Sequence, residues 1–136
     1  MPETYTLDRT GQPPVRFTGD LMFEKSSHDP VTGPLHERWH EVRVYRTKAG
    51  NWIVSIQFRT TFASERETST VAICTDKAGM VLPLTSFDPV ASIIGHPVGS
   101  TNFERKNAAI HVAVRDSYRA CVSAVFEQLG MIEEVD

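Results

Sequence analysis

The chain has 136 residues, of which 40% are hydrophobic and 23% are charged, and its formal net charge at pH 7 is −3. This length fits one domain with its own core but not two, and the composition is globular rather than disordered. The acidic balance argues against a general nucleic-acid binder, and no apolar run approaches the roughly 18 residues needed to span a bilayer.

Alternation of apolar and polar residues predicts three strands in the first half of the chain. Residues 1–14 contain Gly11, Pro13 and Pro14 and few apolar residues, so we expect a loose N-terminal arm. A period of two then indicates strands over residues 15–24, 37–47 and 52–62. Gly50 supplies the turn that joins the last two strands as a hairpin.

Two shorter strands are predicted to follow the hairpin. An apolar, β-branched run indicates a strand over residues 70–75, and a Lys-Ala-Gly turn at residues 76–79 leads to a second strand at 80–82. Pro83 should end that strand or place it at a sheet edge, since proline lacks the N–H that a ladder needs. Together the predicted strands form an antiparallel meander of about five strands.

Helix signals replace strand signals after this point. Asp88 as N-cap, Pro89 as first helical residue and Gly95 as a stop predict a short helix at about residues 89–94. These residue types are typical of helix ends because Asp satisfies free N–H groups and Gly adopts a positive φ.

A long helix is predicted near the C-terminal end. No Pro or Gly occurs from residue 102 to residue 129, and Gly130 is a typical residue after a last helical turn. The apolar stripe of this helix must pack on the meander, because neither element could bury that surface alone. We therefore predict an α+β fold: one domain over residues 15–130, followed by an acidic tail at residues 131–136.

The two cysteines, Cys74 and Cys121, indicate the redox environment. Their spacing excludes a CxxC redox motif or a zinc knuckle. We interpret them as two buried thiols in a reducing compartment, although a single disulfide stays open. With no membrane-spanning run, this favours a cytoplasmic protein that does not act at a membrane.

The string His36-Glu37-Arg38-Trp39-His40 matches the HExxH pattern of zinc hydrolases. In that chemistry a helix brings His36 and His40 onto one face as metal ligands, while Glu37 activates the bound water as the catalytic base. Pro34 and the strand-like residues after His40 instead predict an extended chain, where the two rings would lie about 13 Å apart. We therefore expect no metal and no cofactor, and keep a metal-dependent hydrolase as an alternative function.

The predicted hairpin carries cations and aromatic rings, with no acidic residue between positions 42 and 64. Exposed aromatic rings can stack on single-stranded bases while cations hold phosphates, although the same residues can simply form a core face and a solvated face. The candidate binding residues are Arg43, Tyr45, Arg46, Lys48 and Arg59. This surface, or the C-terminal helix, favours a non-enzymatic binding or protein-interaction domain. A protein is the favoured partner, with single-stranded nucleic acid and a homodimer as alternatives.

A third hypothesis is binding of a small apolar ligand between the sheet and the helix. A curved meander packed on a long helix can enclose a pocket, although phenylalanines more often form plain core. The candidate lining residues are Phe17, Phe23, Phe58, Phe62 and Phe87. The chain has no glycine-rich phosphate loop and no GxSxG elbow.

Two segments, Arg16-Phe17-Thr18-Gly19 and residues 42–51, are similar to the bacterial EXLDI-type domain. The shared features are an Arg-Phe-x-Gly strand and a Val-Tyr-Arg-Thr-x-x-Gly hairpin, and the resemblance covers residues 15–56. It implies a bacterial origin and a hairpin turn geometry. It carries over no catalytic residue.

Overall fold

A computed structural model describes residues 2–135 as a five-stranded antiparallel sheet with a long C-terminal helix. The strands are β1 (Glu3–Arg9), β2 (Gln12–Ser26), β3 (Arg38–Thr47), β4 (Trp52–Thr60) and β5 (Thr68–Cys74). The helices are α1 (Pro34–Glu37), α2 (Val81–Ser86), which follows a 3₁₀ turn at Ala78–Met80, and α3 (Phe103–Gln128). The strands lie side by side in chain order. The predicted α+β meander with a long C-terminal helix is confirmed.

Both faces of the interior strand β4 are buried, from Trp52 through residue 56. One face packs against α3. Val44 of β3 and Val54 of β4 lie opposite each other on this face and belong to the same core cluster as Cys121 and Val125 of α3. The sheet also curls until its two edge strands meet at one end. There the backbone N–H of Thr10 donates to the carbonyl of Ser69 at 2.8 Å, and the N–H of Ser69 donates to Thr10 Oγ1 at 2.8 Å.

An aromatic cluster fills the sheet face that points away from α3. The ring centroids of Tyr5 and Tyr45 lie 4.7 Å apart, and Phe17 lies 5.5 Å from Tyr5 and 5.2 Å from Tyr45. These three residues come from three adjacent strands, so the cluster ties β1 to the centre of the sheet. Side chains of this size dominate the energetics of a small core.

The helix α3 ends as its sequence predicts. Gly130 has a φ of 66°, the N–H of Met131 donates to the carbonyl of Phe126 at 2.8 Å, and Lys77 Nζ donates to the carbonyl of Leu129 at 2.7 Å. These contacts satisfy carbonyls that the last turn leaves free and place a cation at the negative end of the helix dipole. Buried residues of α3 are Val114, Tyr118, Cys121, Val122 and Val125.

The prediction of a loose arm at residues 1–14 is wrong for residues 2–14. Met1 lies outside the described residues. This segment forms β1 and begins β2, with Tyr5 paired to Phe17 and Leu7 paired to Val15. The mostly exposed residues of β1 resemble a loop in sequence, because an edge strand buries only alternate side chains. The predicted tail has no regular secondary structure over residues 131–135, and Asp136 lies outside the described residues.

Two other local predictions are also wrong. Residues 80–82 are helical rather than extended, because helical spacing carries both Met80 and Leu84 into the core with no exposed surface. The short helix at 89–94 is not formed, and residues 89–92 make only a turn. Gly95, the predicted stop, has a φ of 74° but ends no helix. Its N–H and that of Ile94 instead donate to the carboxylate of Glu65, at 3.4 and 3.0 Å.

Both cysteines are buried free thiols, and no disulfide joins them. None of the described helices is long and apolar enough to cross a membrane.

Candidate functional site

The HExxH string lies across the boundary between two elements. The helix α1 provides a single turn that ends at Glu37, and β3 begins at the next residue. His36 Nδ1 donates to the carbonyl of Asp29 at 2.9 Å, whereas His40 lies within the sheet. The two histidines therefore do not share a helix face, and the geometry of a zinc hydrolase is not formed. No cluster of three or more His, Cys, Asp or Glu suited to a metal occurs among residues 2–135.

Acidic residues from neighbouring segments pair with two of the four cations of the hairpin, Arg43 and Arg59. Arg43 donates to Glu24 at 2.6 Å and to Glu41 at 3.1 Å. Arg59 lies 3.6 Å from Glu41 and 3.8 Å from Glu67. Residues 42–64 contain no acidic residue, but in the folded chain they contact carboxylates of β2, of β3 and of the β4–β5 connection. These contacts are not visible from the order of residues in the sequence.

The remaining candidate binding residues are also separated from one another. Tyr45 is buried in the aromatic cluster and offers no exposed ring for stacking. Arg46 is exposed, but its guanidinium lies over the ring of Trp52, 5.2 Å from the centroid. Lys48 is exposed in the hairpin turn. The five residues do not form one continuous cationic and aromatic surface.

His40 is the most unusual polar residue of the structure, because it is completely buried among aromatic rings. Its ring centroid lies 5.4 Å from Phe58, 5.5 Å from Phe87 and 5.3 Å from Tyr118. Neither ring nitrogen has a hydrogen-bond partner among the described residues. Burial lowers the pKa of His40 to about 4, so the ring is neutral at pH 7 and presents one N–H donor and one acceptor.

A half-open cavity of about 300 Å³ lies beside this ring, between the sheet and the segment 87–92. Phe58 and Phe87 supply aromatic walls. The hydroxyls of Thr10, Thr68, Thr70 and Ser92 and the carboxylate of Asp88 supply polar atoms. We call this cavity, with His40 in its lining, the His40 pocket. An apolar enclosure with a few convergent polar groups is the usual construction of a small-molecule site.

A buried ion pair lies near the His40 pocket, outside its lining. Arg38 Nε and Nη2 donate to the two carboxylate oxygens of Glu65 at 2.8 to 3.0 Å, and Thr60 Oγ1 donates to Glu65 at 2.7 Å. Glu65 also accepts the N–H of Ile94, which lies just beyond the cavity wall. Burial alone would raise the pKa of Glu65, but the hydrogen bonds from Arg38 and Thr60 lower it to about 2.

Only two of the five phenylalanines proposed for a pocket line this one, namely Phe58 and Phe87. Phe23 belongs to the core. Phe17 lies on the opposite sheet face, in the aromatic cluster. Phe62 is partly exposed and lies under the Arg38 guanidinium, 4.3 Å from its ring centroid.

Sequence reasoning missed Arg38, Glu65 and the complete burial of His40. A usable signal was present, because residues 38 and 40 are in phase with Val42 and Val44 on the core face of one strand. A charged or polar residue in a buried phase needs a partner or a function. Glu65 carries no comparable signal, since it lies in an irregular connection.

No family model, no curated protein and no solved structure matches this chain.

Proposed function

We propose that the protein binds a small uncharged molecule in the His40 pocket. The observation that supports this most directly is the buried His40 ring, whose two nitrogens have no partner among the described residues. Each unsatisfied buried polar atom costs about 1–3 kcal/mol, and an apolar side chain of the same shape would avoid that cost. We infer that a ligand bonds to one of these nitrogens after the lining of the cavity moves, because neither nitrogen is accessible to solvent in the structure.

The charge of the pocket favours a neutral ligand. His40 carries no charge at pH 7 because burial lowers its pKa to about 4. The nearest formal charge in the lining is the carboxylate of Asp88, which disfavours an anion. The aromatic walls suit an aromatic or cyclic body, and the hydroxyls of Thr68 and Thr70 suit an amide or a hydroxyl group.

The segment that follows Ala91 and Ser92 of the lining is connected to β3 through a buried ion pair. The Arg38–Glu65 pair joins β3 to the β4–β5 connection, and Glu65 reaches the backbone of the segment beyond the cavity. The proposal keeps the non-enzymatic binding class and moves the site from the cationic hairpin to the sheet–helix interface.

A titration with benzamide tests this function, because benzamide is a neutral ring that carries both a donor and an acceptor. We expect saturable shifts of the Thr68, Thr70 and Ala91 amide signals in NMR spectra, with a dissociation constant of about 1 mM. His40→Phe should weaken binding about tenfold or more. The control His96→Phe changes an exposed histidine outside the pocket and should bind as the wild type does.

Two results would contradict the proposal. One is a linear, non-saturable response of the pocket amides to benzamide. The other is equal affinity of the wild type and His40→Phe. Benzoate serves as the charged counterpart, and we expect it to leave the Thr68 and Thr70 signals unchanged.

A further inference from the structure

A second cavity, of about 370 Å³, lies on the other side of the Phe87–Pro89 segment. It is half open and lies between α2 and α3. Leu84, Phe87, Tyr118 and Val122 form its apolar surface. Tyr118 Oη donates to the carbonyl of Leu84 at 2.6 Å, so this hydrogen bond joins the two helices at the base of the cavity. We call it the α2–α3 pocket.

Two arginines, Arg115 and Arg119, line the same cavity. They lie four residues apart on α3, so they project from one face of the helix. Within residues 2–135, neither takes part in an ion pair with an acidic side chain. The one acid in the lining is Asp88, whose Oδ1 accepts the N–H of Val90 at 3.0 Å. The lining therefore holds an excess of positive charge beside an apolar surface.

We propose that the α2–α3 pocket binds a small organic anion. Its carboxylate or phosphate would pair with Arg115 and Arg119, and its apolar body would pack against Leu84, Tyr118 and Val122. This site is separate from the His40 pocket and does not depend on the function proposed for it. Phe87 stands between the two cavities and contributes to both linings.

The residue types support an anion rather than a neutral ligand. Arginine binds carboxylates and phosphates through paired N–H groups, and these charge-assisted bonds are about twice as strong as neutral ones. The apolar surface beside the arginines excludes part of the water that would otherwise compete. The volume exceeds that of a single ring, so a two-ring body is a suitable occupant.

Indole-3-acetate is a probe with both features, and indole-3-acetamide is its neutral counterpart. We expect saturable binding of the acetate with shifts at Leu84, Val122 and Ser123, and binding of the acetamide at least about tenfold weaker. Arg115→Gln and Arg119→Gln should each raise the dissociation constant about tenfold. Arg105→Gln removes an exposed cation of α3 outside the cavity and should change it less than twofold.

Inorganic phosphate separates a general anion effect from a pocket that also binds the ring. Phosphate alone should bind more weakly than indole-3-acetate, because it leaves the apolar surface uncovered. The proposal is overturned if the acetamide or phosphate binds as tightly as the acetate, or if Arg105→Gln weakens binding as much as Arg119→Gln. Thr68→Val changes a residue that lines the His40 pocket but not the α2–α3 pocket. It should leave indole-3-acetate binding unchanged, so the two sites are tested separately.

Discussion

Arg38 and Glu65 form an ion pair that is almost completely withdrawn from solvent, with 5% and 1% of their side-chain surfaces exposed. They lie 27 residues apart in the chain and meet through three hydrogen bonds. Because Glu65 also accepts the N–H groups of Ile94 and Gly95, at 3.0 and 3.4 Å, one carboxylate joins β3 to the segment before α3. The shape of the His40 pocket therefore depends on a contact outside its lining.

Replacing the carboxylate of this pair should strongly destabilise the protein. Glu65→Gln leaves the Arg38 guanidinium buried without a counter-charge, which costs about 3–5 kcal/mol when one partner of a buried pair is removed. Urea unfolding at pH 7 measures this loss. Glu67→Gln is the matched control, because it removes a half-exposed carboxylate paired with Arg59 at 3.8 Å and should cost less than about 1 kcal/mol. Equal losses in the two variants would contradict the structural role of Glu65.

His40→Phe should make the protein more stable rather than less. The substitution removes two buried nitrogens that have no partner among the described residues and keeps a ring beside Phe58 and Tyr118. Replacing unsatisfied polar atoms by apolar ones should raise the free energy of unfolding by about 1–3 kcal/mol. Urea unfolding of both proteins at pH 7 tests this, with His40→Leu as a second variant in case the larger ring does not fit. Loss of stability in both variants would show that the His40 nitrogens are satisfied.

Stability should fall with acid in a window set by His40. Burial lowers its pKa from 6.5 to about 4, so below pH 6.5 the unfolded chain takes up a proton that the folded protein does not. The neutral His40 ring therefore contributes about 3 kcal/mol to the free energy of unfolding. This contribution is fully present above pH 6.5 and is lost as the pH falls to 4. His40→Phe should lack this component of the pH dependence. Parallel curves for the wild type and the variant between pH 7.5 and 4 would contradict the low pKa.

Gly19 should tolerate no side chain, because β2 and β3 approach each other closely at this point. A Cβ there would meet the carbonyl of Arg46 and would lie 2.9 Å from the Cα of Thr47, its partner in the sheet. Gly19→Ala should therefore cost about 2 kcal/mol, since the backbone must shift. Thr18→Ala, at the adjacent exposed position, is the control and should cost less than about 1 kcal/mol. Similar unfolding midpoints for the two variants would show that β2 moves freely away from β3.

The features that were predictable from sequence are those decided by neighbouring residues. The hairpin closed at Gly50 and the end of α3 at Gly130 each depend on one glycine with positive φ beside a clear periodicity. The strand β1 was not predictable in this way, because it gains order by pairing with β2 rather than from its own apolar content. The helical state of residues 80–82 likewise follows from packing of Met80 in the core.

The candidate site was less predictable than the fold, because its groups meet only after folding. The predicted extended chain holds for His40, which lies in β3, but His36 and Glu37 belong to the helical turn α1. The aromatic rings that surround His40 come partly from distant segments and could not be read from the string. The neutralisation of Arg43 by Glu24 joins residues 19 apart, and the contact of Glu65 with Ile94 joins residues 29 apart. Contacts over such separations are set by the sheet register and by irregular connections, neither of which local sequence patterns specify.

The ring nitrogens of His40 provide the most direct test of the central claim. Long-range ¹H–¹⁵N NMR spectra at pH 7 report the protonation and hydrogen bonding of each nitrogen, and benzamide can be added to saturation. We predict a neutral ring, a shift of one nitrogen signal that saturates together with the Thr68 and Thr70 amides, and no such amide shifts in His40→Phe. A His40 ring that is protonated at pH 7, or whose nitrogen signals stay unchanged when benzamide is saturating, would contradict the account.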